Sequence, residues 1–142
     1  MSSLLAKIQV HAGREREFED VMAYMYRQTH GTETGVLRYE YWRGRDPGCY
    51  YCLLSFEDNL AFWRHQASDH HEGQMEKFQA CIAALDLEVI DPVQGACELP
   101  ATHEQSVSDT EPGAVREQAM QFPINPAHWW LALRNGTASG RN

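Results

Sequence analysis

Three histidines crowd the middle of the chain, in the run Trp63-Arg64-His65-Gln66-Ala67-Ser68-Asp69-His70-His71-Glu72-Gly73. Imidazole is the side chain whose ordinary pKa lies within the physiological range, so it suits a general base at neutral pH. His65 follows Trp63 by two positions and precedes His70 by five, which places these side chains around the end of a helix near its bend. His65 and His70 are the candidate bases, with His71 behind them; the plainer alternative is that His70 and His71 cap or flank the break and are solvated. Metal binding by His65, His70, His71 and Glu72 is a further option, but ligands on one helix want steps of three or four rather than five. A second set lies upstream. Tyr39, Tyr41 and Arg43 share one face of an expected strand, and Arg38, Glu40 and Trp42 share the other. A Tyr or Arg lining a cavity can hold a phenolate or a developing peroxide anion, whereas aromatic residues on a sheet also serve as core or interface. Cys49-Tyr-Tyr-Cys52 has the spacing of half a zinc site, yet residues three apart on a strand point to opposite faces and cannot converge on one ion. Free thiols are therefore expected at Cys49, Cys52, Cys81 and Cys97.

The elements that must position these residues are legible from periodicity. Residues 4–10 set Leu4, Ala6, Ile8 and Val10 against Lys7 and Gln9, which predicts a strand with one buried face. From Arg14 to Thr29, Phe18, Val21, Met22, Met25 and Tyr26 recur at helical steps, predicting an amphipathic helix. After a polar break at 31–35, Val36 to Arg43 and Tyr50 to Phe56 read as strands joined by Gly44-Arg45-Asp46-Pro47-Gly48. Residues 58–84 return to helical spacing with Leu60, Phe62, Trp63, Met75, Phe78, Ile82 and Leu85, in two pieces bent at Ser68 to Gly73, and 86–91 close the unit as a fourth strand before Pro92. The order β-α-β-β-α-β is that of a ferredoxin-like unit, an α+β fold. Its helices cover only one face of the sheet, so the other face wants a partner.

Past Gly95 the composition turns to Pro, Ser, Thr, Glu and Gln, and residues 102–117 read as a linker. The expected organisation is one domain over 1–95 and an extended tail over 96–142. The tail ends in a short helix starting near Asn125-Pro126 and carrying Trp129 and Trp130, too much apolar area to leave in water. It should dock either across its own pocket or onto a partner subunit.

At 142 residues and 43% hydrophobic, the chain has room for one domain with a core. A net charge of −8, with twelve Lys and Arg scattered among twenty acids, argues against a nucleic-acid partner. No apolar run approaches the ~20 residues that span a bilayer, and the N-terminus lacks a secretory layout, so no membrane association and a cytoplasmic location are expected.

The combination of Leu5-Ala6-Lys7-Ile8-Gln9-Val10-His11-Ala12-Gly13-Arg14-Glu15-Arg16-Glu17-Phe18-Glu19, Gly35-Val-Leu-Arg-Tyr-Glu-Tyr-Trp42, the strand Tyr50 to Phe56 and the helical stretch Glu57 to His71 resembles the antibiotic biosynthesis monooxygenase (ABM) family over roughly residues 4–95. The resemblance implies a dimeric α+β barrel, hence a homodimer, enclosing an apolar pocket for a hydrophobic aromatic or polyketide-like molecule. Several members of that family oxidise anthrones or quinols without metal, haem or flavin, with molecular oxygen as co-substrate. Such a reaction needs a base, an oxyanion-stabilising donor and a dry aromatic cavity. On this chain the resemblance implies catalytic roles for His65, His70 and Tyr39, and substrate contacts for Tyr41, Arg43, Phe56, Trp63, Tyr24, Phe78 and Trp129, with no metal or cofactor. The Asn, Trp, Tyr and Arg set of anthrone-type members is matched only loosely, by Asn59 and Trp63. Haem degradation would need a first-strand Asn and a His about ten residues beyond the Trp; Lys7, Gln9 and Gly73 stand there instead. The alternatives are a polyketide cyclase or isomerase using the same His/Tyr pair, and a non-catalytic binding dimer whose pocket Trp129 and Trp130 fill.

Overall fold

Alternation of apolar and polar residues sets the first strand in the computed structural model, which describes residues 1–136. The end of the expected tail, 137–142, lies outside the described residues. Strand β1 (Ser2–Val10) buries Leu4, Ala6, Ile8 and Val10 and exposes Lys7 and Gln9, starting two residues earlier than expected. Helix α1 (Glu15–Thr32), strands β2 (Val36–Arg43) and β3 (Cys49–Phe56), helices α2 (Asn59–Gln66), α3 (Asp69–Glu72) and α4 (Met75–Cys81), and strand β4 (Ile82–Ile90) follow. The strands form one antiparallel sheet in the order β2-β3-β1-β4. This is the ferredoxin-like arrangement expected from the element order.

Register decides which side chains meet the helices. Leu4 lies opposite Leu54, Ala6 opposite Cys52 and Ile8 opposite Tyr50, while Tyr39 and Tyr41 of β2 lie opposite the same Leu54 and Cys52. These residues share the helix-covered face, with Phe18, Val21, Met22 and Met25 of α1 and Phe62 of α2 packed above them. The β2–β3 turn needs its glycine: Gly48 adopts φ of 71°, and a Cβ there would stand 2.7 Å from the carbonyl oxygen of Val10. On the other face Lys7, Gln9, Arg38, Trp42, Asp86 and Glu88 stand exposed. The cysteines are free, with Cys49, Cys52 and Cys81 buried and Cys97 exposed.

The structure departs further from the sequence expectations, beginning with the bend at Ser68 to Gly73, which holds a short helix of its own, α3, so that the expected two helical pieces are three. Tyr26 is 48% exposed rather than part of the buried stripe, which continues instead through Thr29. Ile82 and Leu85 belong to β4, not to a helix, because pairing with Val10 and Ile8 of β1 claims them. Residues 102–117 are not a free linker. They run along the domain into a helix that periodicity did not reveal, α5 (Gly113–Gln121), ahead of α6 (His128–Arg134).

Polar anchors hold this tail where apolar residues are few. The Thr102 hydroxyl donates to the carbonyl of Ile90 at 2.7 Å, and the Asn59 amide donates to the carbonyl of His103 at 2.7 Å. The Gln105 side-chain oxygen accepts the backbone N–H groups of Asn59 and Leu60, satisfying donors that the first turn of α2 leaves without helical partners. The Trp63 indole donates to the carbonyl of Phe122 at 2.9 Å, and Val115 and Ile124 are buried. The tail thus docks on its own domain.

Replacing Trp63 by Phe removes the indole donor and leaves the Phe122 carbonyl unpaired. An unmade buried hydrogen bond costs about 1–3 kcal/mol, so Trp63→Phe should lower the urea midpoint accordingly. An unchanged midpoint would mean that the indole bond does not secure the tail.

Candidate active site

Between the sheet and the helices lies a cavity of about 470 Å³. Ala6, Ile8, Tyr39, Tyr41, Cys52 and Leu54 form its floor, Met22 and Met25 of α1 one wall, and Phe62, His65, Gln66, His71 and Phe78 the other. Gln118, Gln121 and Phe122 of the docked tail complete the lining. The cavity is therefore built from the domain and its C-terminal extension together.

His65 occupies the last turn of α2 and is 1% exposed. Its Nδ1 stands 2.8 Å from Oε1 of Glu33, and the same oxygen lies 2.7 Å from Nε2 of His70. An ionised carboxylate can only accept, so Nδ1 of His65 and Nε2 of His70 carry the protons. That leaves Nε2 of His65 with a lone pair, and this buried atom has no hydrogen-bond partner. The His65 ring sits 4.9 Å from the Tyr39 ring and 5.0 Å from that of His71.

Local structure explains why these groups meet. Glu33 caps α1 in an extended conformation, turning its side chain out of the helix toward the α2–α3 bend. Gly35 then passes so close to α2 that an added Cβ would stand 2.7 Å from the Cβ of Ala61. At the bend, Ser68 caps α3 by accepting the His71 N–H and donates its own hydroxyl to the carbonyl of His65. His70 is thereby turned back toward Glu33, with Ser68 Oγ 3.2 Å and Thr29 Oγ1 3.5 Å from its Nε2.

Burial sets the protonation states. Desolvation, aided by the neighbouring His70, pulls His65 down to about 3, and desolvation with the charges of His65 and His70 does the same to His71. Both imidazoles are neutral at pH 7. Desolvation raises Glu33, and His70 partly offsets that rise. Tyr39 and Tyr41 are pushed up by burial and so remain phenols, their hydroxyls 3.0 Å apart. One donates to the other, and the accepting hydroxyl keeps a proton to offer elsewhere.

The structure brings together His65, Tyr39, Tyr41 and Phe78 around the cavity, and it separates the remaining candidates from it. His70 does not line the cavity and acts on Glu33. Phe56 is fully buried behind His65, their rings 5.2 Å apart, and Trp63 faces the tail. Tyr24 is half-buried against the core. Arg43, though on the Tyr41 face, lies at the strand end and pairs with Glu19, its Nε 2.6 Å from Oε1. That pairing, with a hydrogen bond from Tyr50, holds Glu19 down at about 2. Trp129 is 66% exposed and, with Trp130, lines a separate groove against residues 91–101, so the expectation that the Trp pair fills the pocket does not hold. Glu33 escaped the sequence reading altogether. Its one signal was a carboxylate in the polar break after the first helix, and nothing in spacing linked it to His65.

Residues 1–80 match the family model for antibiotic biosynthesis monooxygenase. The chain belongs to this family. Solved structures with the same fold include proteins from Caulobacter crescentus and from Bacteroides thetaiotaomicron, both provisionally described as antibiotic biosynthesis monooxygenases. The first is 23% identical with a TM-score of 0.62, over 66% of this chain and 90% of that one. The second is 19% identical with a TM-score of 0.64, over 69% and 94%. A Mycobacterium tuberculosis protein is 15% identical with a TM-score of 0.61, over 68% and 98%. No curated protein matches the chain. At these identities the structural likeness speaks for the ABM fold alone. The matches nearly exhaust those chains while leaving about a third of this one over. No described helix is long and apolar enough to cross a membrane.

The two depressed imidazoles fix a sign for stability against pH. The unfolded chain takes up protons at both positions near 6.5, whereas the folded chain resists until about 3. Stability contributed by the neutral rings is therefore present above pH 6.5 and is lost as pH falls toward 3. Glu33, raised on folding, works in the opposite sense but is one group against two. The thermal midpoint of the wild type should fall steeply from pH 7 to 4, and His65→Gln or His71→Gln should flatten the decline. Parallel curves for both variants would show that these rings are not held neutral.

Proposed function

We propose that the protein is a cofactor-independent monooxygenase acting on a hydrophobic aromatic or polyketide-like molecule of the anthrone or quinol type, with O₂ as co-substrate. The observation that carries this reading is a neutral, buried His65 with an unpartnered Nε2, backed by Glu33 and set beside a pair of protonated tyrosines in a largely apolar cavity. Nε2 of His65 takes the phenolic or ring-methylene proton of the substrate. Glu33, accepting from Nδ1, stabilises the imidazolium that forms. The carbanion-like anion then gives one electron to O₂ and the two radicals combine at carbon. The resulting peroxide receives a proton from the imidazolium, and the hydroperoxide loses water to leave a carbonyl. The free hydroxyl of the Tyr39–Tyr41 pair donates to the phenolate or peroxide oxygen, and the dry walls protect the anion from bulk water. His70 acts as a positioning residue through Glu33.

The exposed sheet face supports a homodimer. Trp42 is 60% exposed there beside half-buried Leu5, Tyr51 and Leu53, an apolar patch that a second copy would cover.

The same acid and base would move a proton between two substrate carbons, so a cyclase or isomerase remains the second reading; oxygen consumption separates the two. With a panel of anthrones and quinols, the chelator-treated protein should consume O₂ with saturation. His65→Ala should lower kcat by about 10²–10⁴-fold, the usual span for a lost general base, and Tyr41→Phe should lower it less. Substrate turnover without oxygen uptake would replace the monooxygenase by a proton-transfer enzyme. Full activity in His65→Ala would remove His65 as the base.

A further inference from the structure

Glu33, His65 and His70 have a second chemical capacity that proton transfer does not use. One ring nitrogen each of His65 and His70 and a carboxylate oxygen of Glu33 lie within 4.8 Å of one another, and the nitrogens that face the carboxylate are Nδ1 of His65 and Nε2 of His70. Two imidazole nitrogens and one carboxylate suit a late first-row divalent ion, and they do not suit Mg²⁺ or Ca²⁺, which want oxygen. The Oε1 contacts of 2.8 and 2.7 Å are shorter than the ~3.4 Å between neighbouring donors of a tetrahedral ion with bonds of ~2.1 Å. The side chains must part by about half an ångström or a little more to admit it. Thr29 Oγ1 and Ser68 Oγ stand on the same side of His70, at 3.5 and 3.2 Å from its Nε2. Either of these hydroxyls, or a water, can supply a fourth ligand. The donors come from the end of α1, the last turn of α2 and the α3 turn, three segments already held together without an ion.

We propose that Glu33, His65 and His70 bind a divalent transition ion, with Zn²⁺ the best match, and that the bound ion switches the active site off. Coordination through Nδ1 obliges the neutral His65 ring to carry its proton on Nε2. The atom that accepts the substrate proton becomes a donor, and Glu33 is withdrawn from its task at the same time. His70 likewise moves its proton from Nε2 to Nδ1, so both tautomer changes are internal to the rings. Ion binding and base function exclude each other. The inhibitory part rests on the proposed role of His65; the binding part does not.

The test is calorimetry and thermal melting of the full chain, freed of metal by chelator, against ZnCl₂, with Co²⁺ absorption as the spectroscopic readout. The expected result is one high-affinity ion per chain, a raised thermal midpoint and a visible Co²⁺ band with imidazole ligation. Affinity should fall at least tenfold in both Glu33→Gln and His70→Ala, and the stoichiometry should persist in His71→Ala. Absence of binding at millimolar Zn²⁺ would overturn the site. Undiminished binding in Glu33→Gln and His70→Ala would overturn it too, assigning the ion to other histidines. Where oxygen uptake is measurable, Zn²⁺ should abolish it at the concentration that fills the site. Uptake unaffected at full occupancy would overturn the switch while leaving the binding site standing.

Discussion

A single carboxylate oxygen holds the functional end of this fold in register. Oε1 of Glu33 accepts from His65 and His70 at once, and in doing so ties the end of α1 to the bend between α2 and α3. Much of the local architecture serves that contact. The chain must leave α1 at Glu33, approach α2 closely enough to require Gly35, and turn at a Ser68 cap that directs His70 back. A charge-assisted hydrogen bond in a desolvated setting is stronger than its surface counterpart, and a buried imidazole lacking it would have no fixed orientation. The carboxylate therefore chooses the tautomer of His65, and the tautomer chooses the chemistry.

The cavity beside it owes as much to the tail as to the sheet. The ferredoxin-like unit supplies the tyrosine pair, the methionines and the histidines, but Gln118 and Gln121 of α5 and the Phe122 that follows it close the remaining side. Those residues reach it because Asn59, Trp63 and Arg64 of α2 each hold a tail group. Helix α2 thus presents His65 inward and carries the tail outward, which couples the placement of His65 to the docking of the extension.

The parts legible in the sequence were those with a strong period. β1, α1 and the β2–β3 hairpin follow from alternation, from three- and four-residue steps and from a glycine-bounded turn, and the topology follows from their order. The placement of Tyr39 and Tyr41 on one face came from the same arithmetic, as did the clustering of His65 near a helix end. Glu33 was not legible, because its partners lie 32 and 37 residues away and only the tertiary approach of two helix ends unites them. Helix α5 was not legible either, since its apolar stripe is only Val115 and Ala119, with Phe122 just beyond, too thin to read as a period. Arg43 and Trp129 show the converse limit: residue type suggested a site role, and position at a strand end or in an outer groove placed them elsewhere.

Glu33 holds His65 as a neutral imidazole protonated on Nδ1, with Nε2 buried and without a partner. Long-range ¹H–¹⁵N NMR of the imidazole nitrogens reads this directly, with the His65 signals assigned by His65→Gln. The expected spectrum shows an Nδ1–H signal for His65 that is unchanged from pH 8 to pH 5 and that changes tautomer or begins to titrate in Glu33→Gln. An Nε2–H tautomer in the wild type, or titration near pH 6.5, would contradict it.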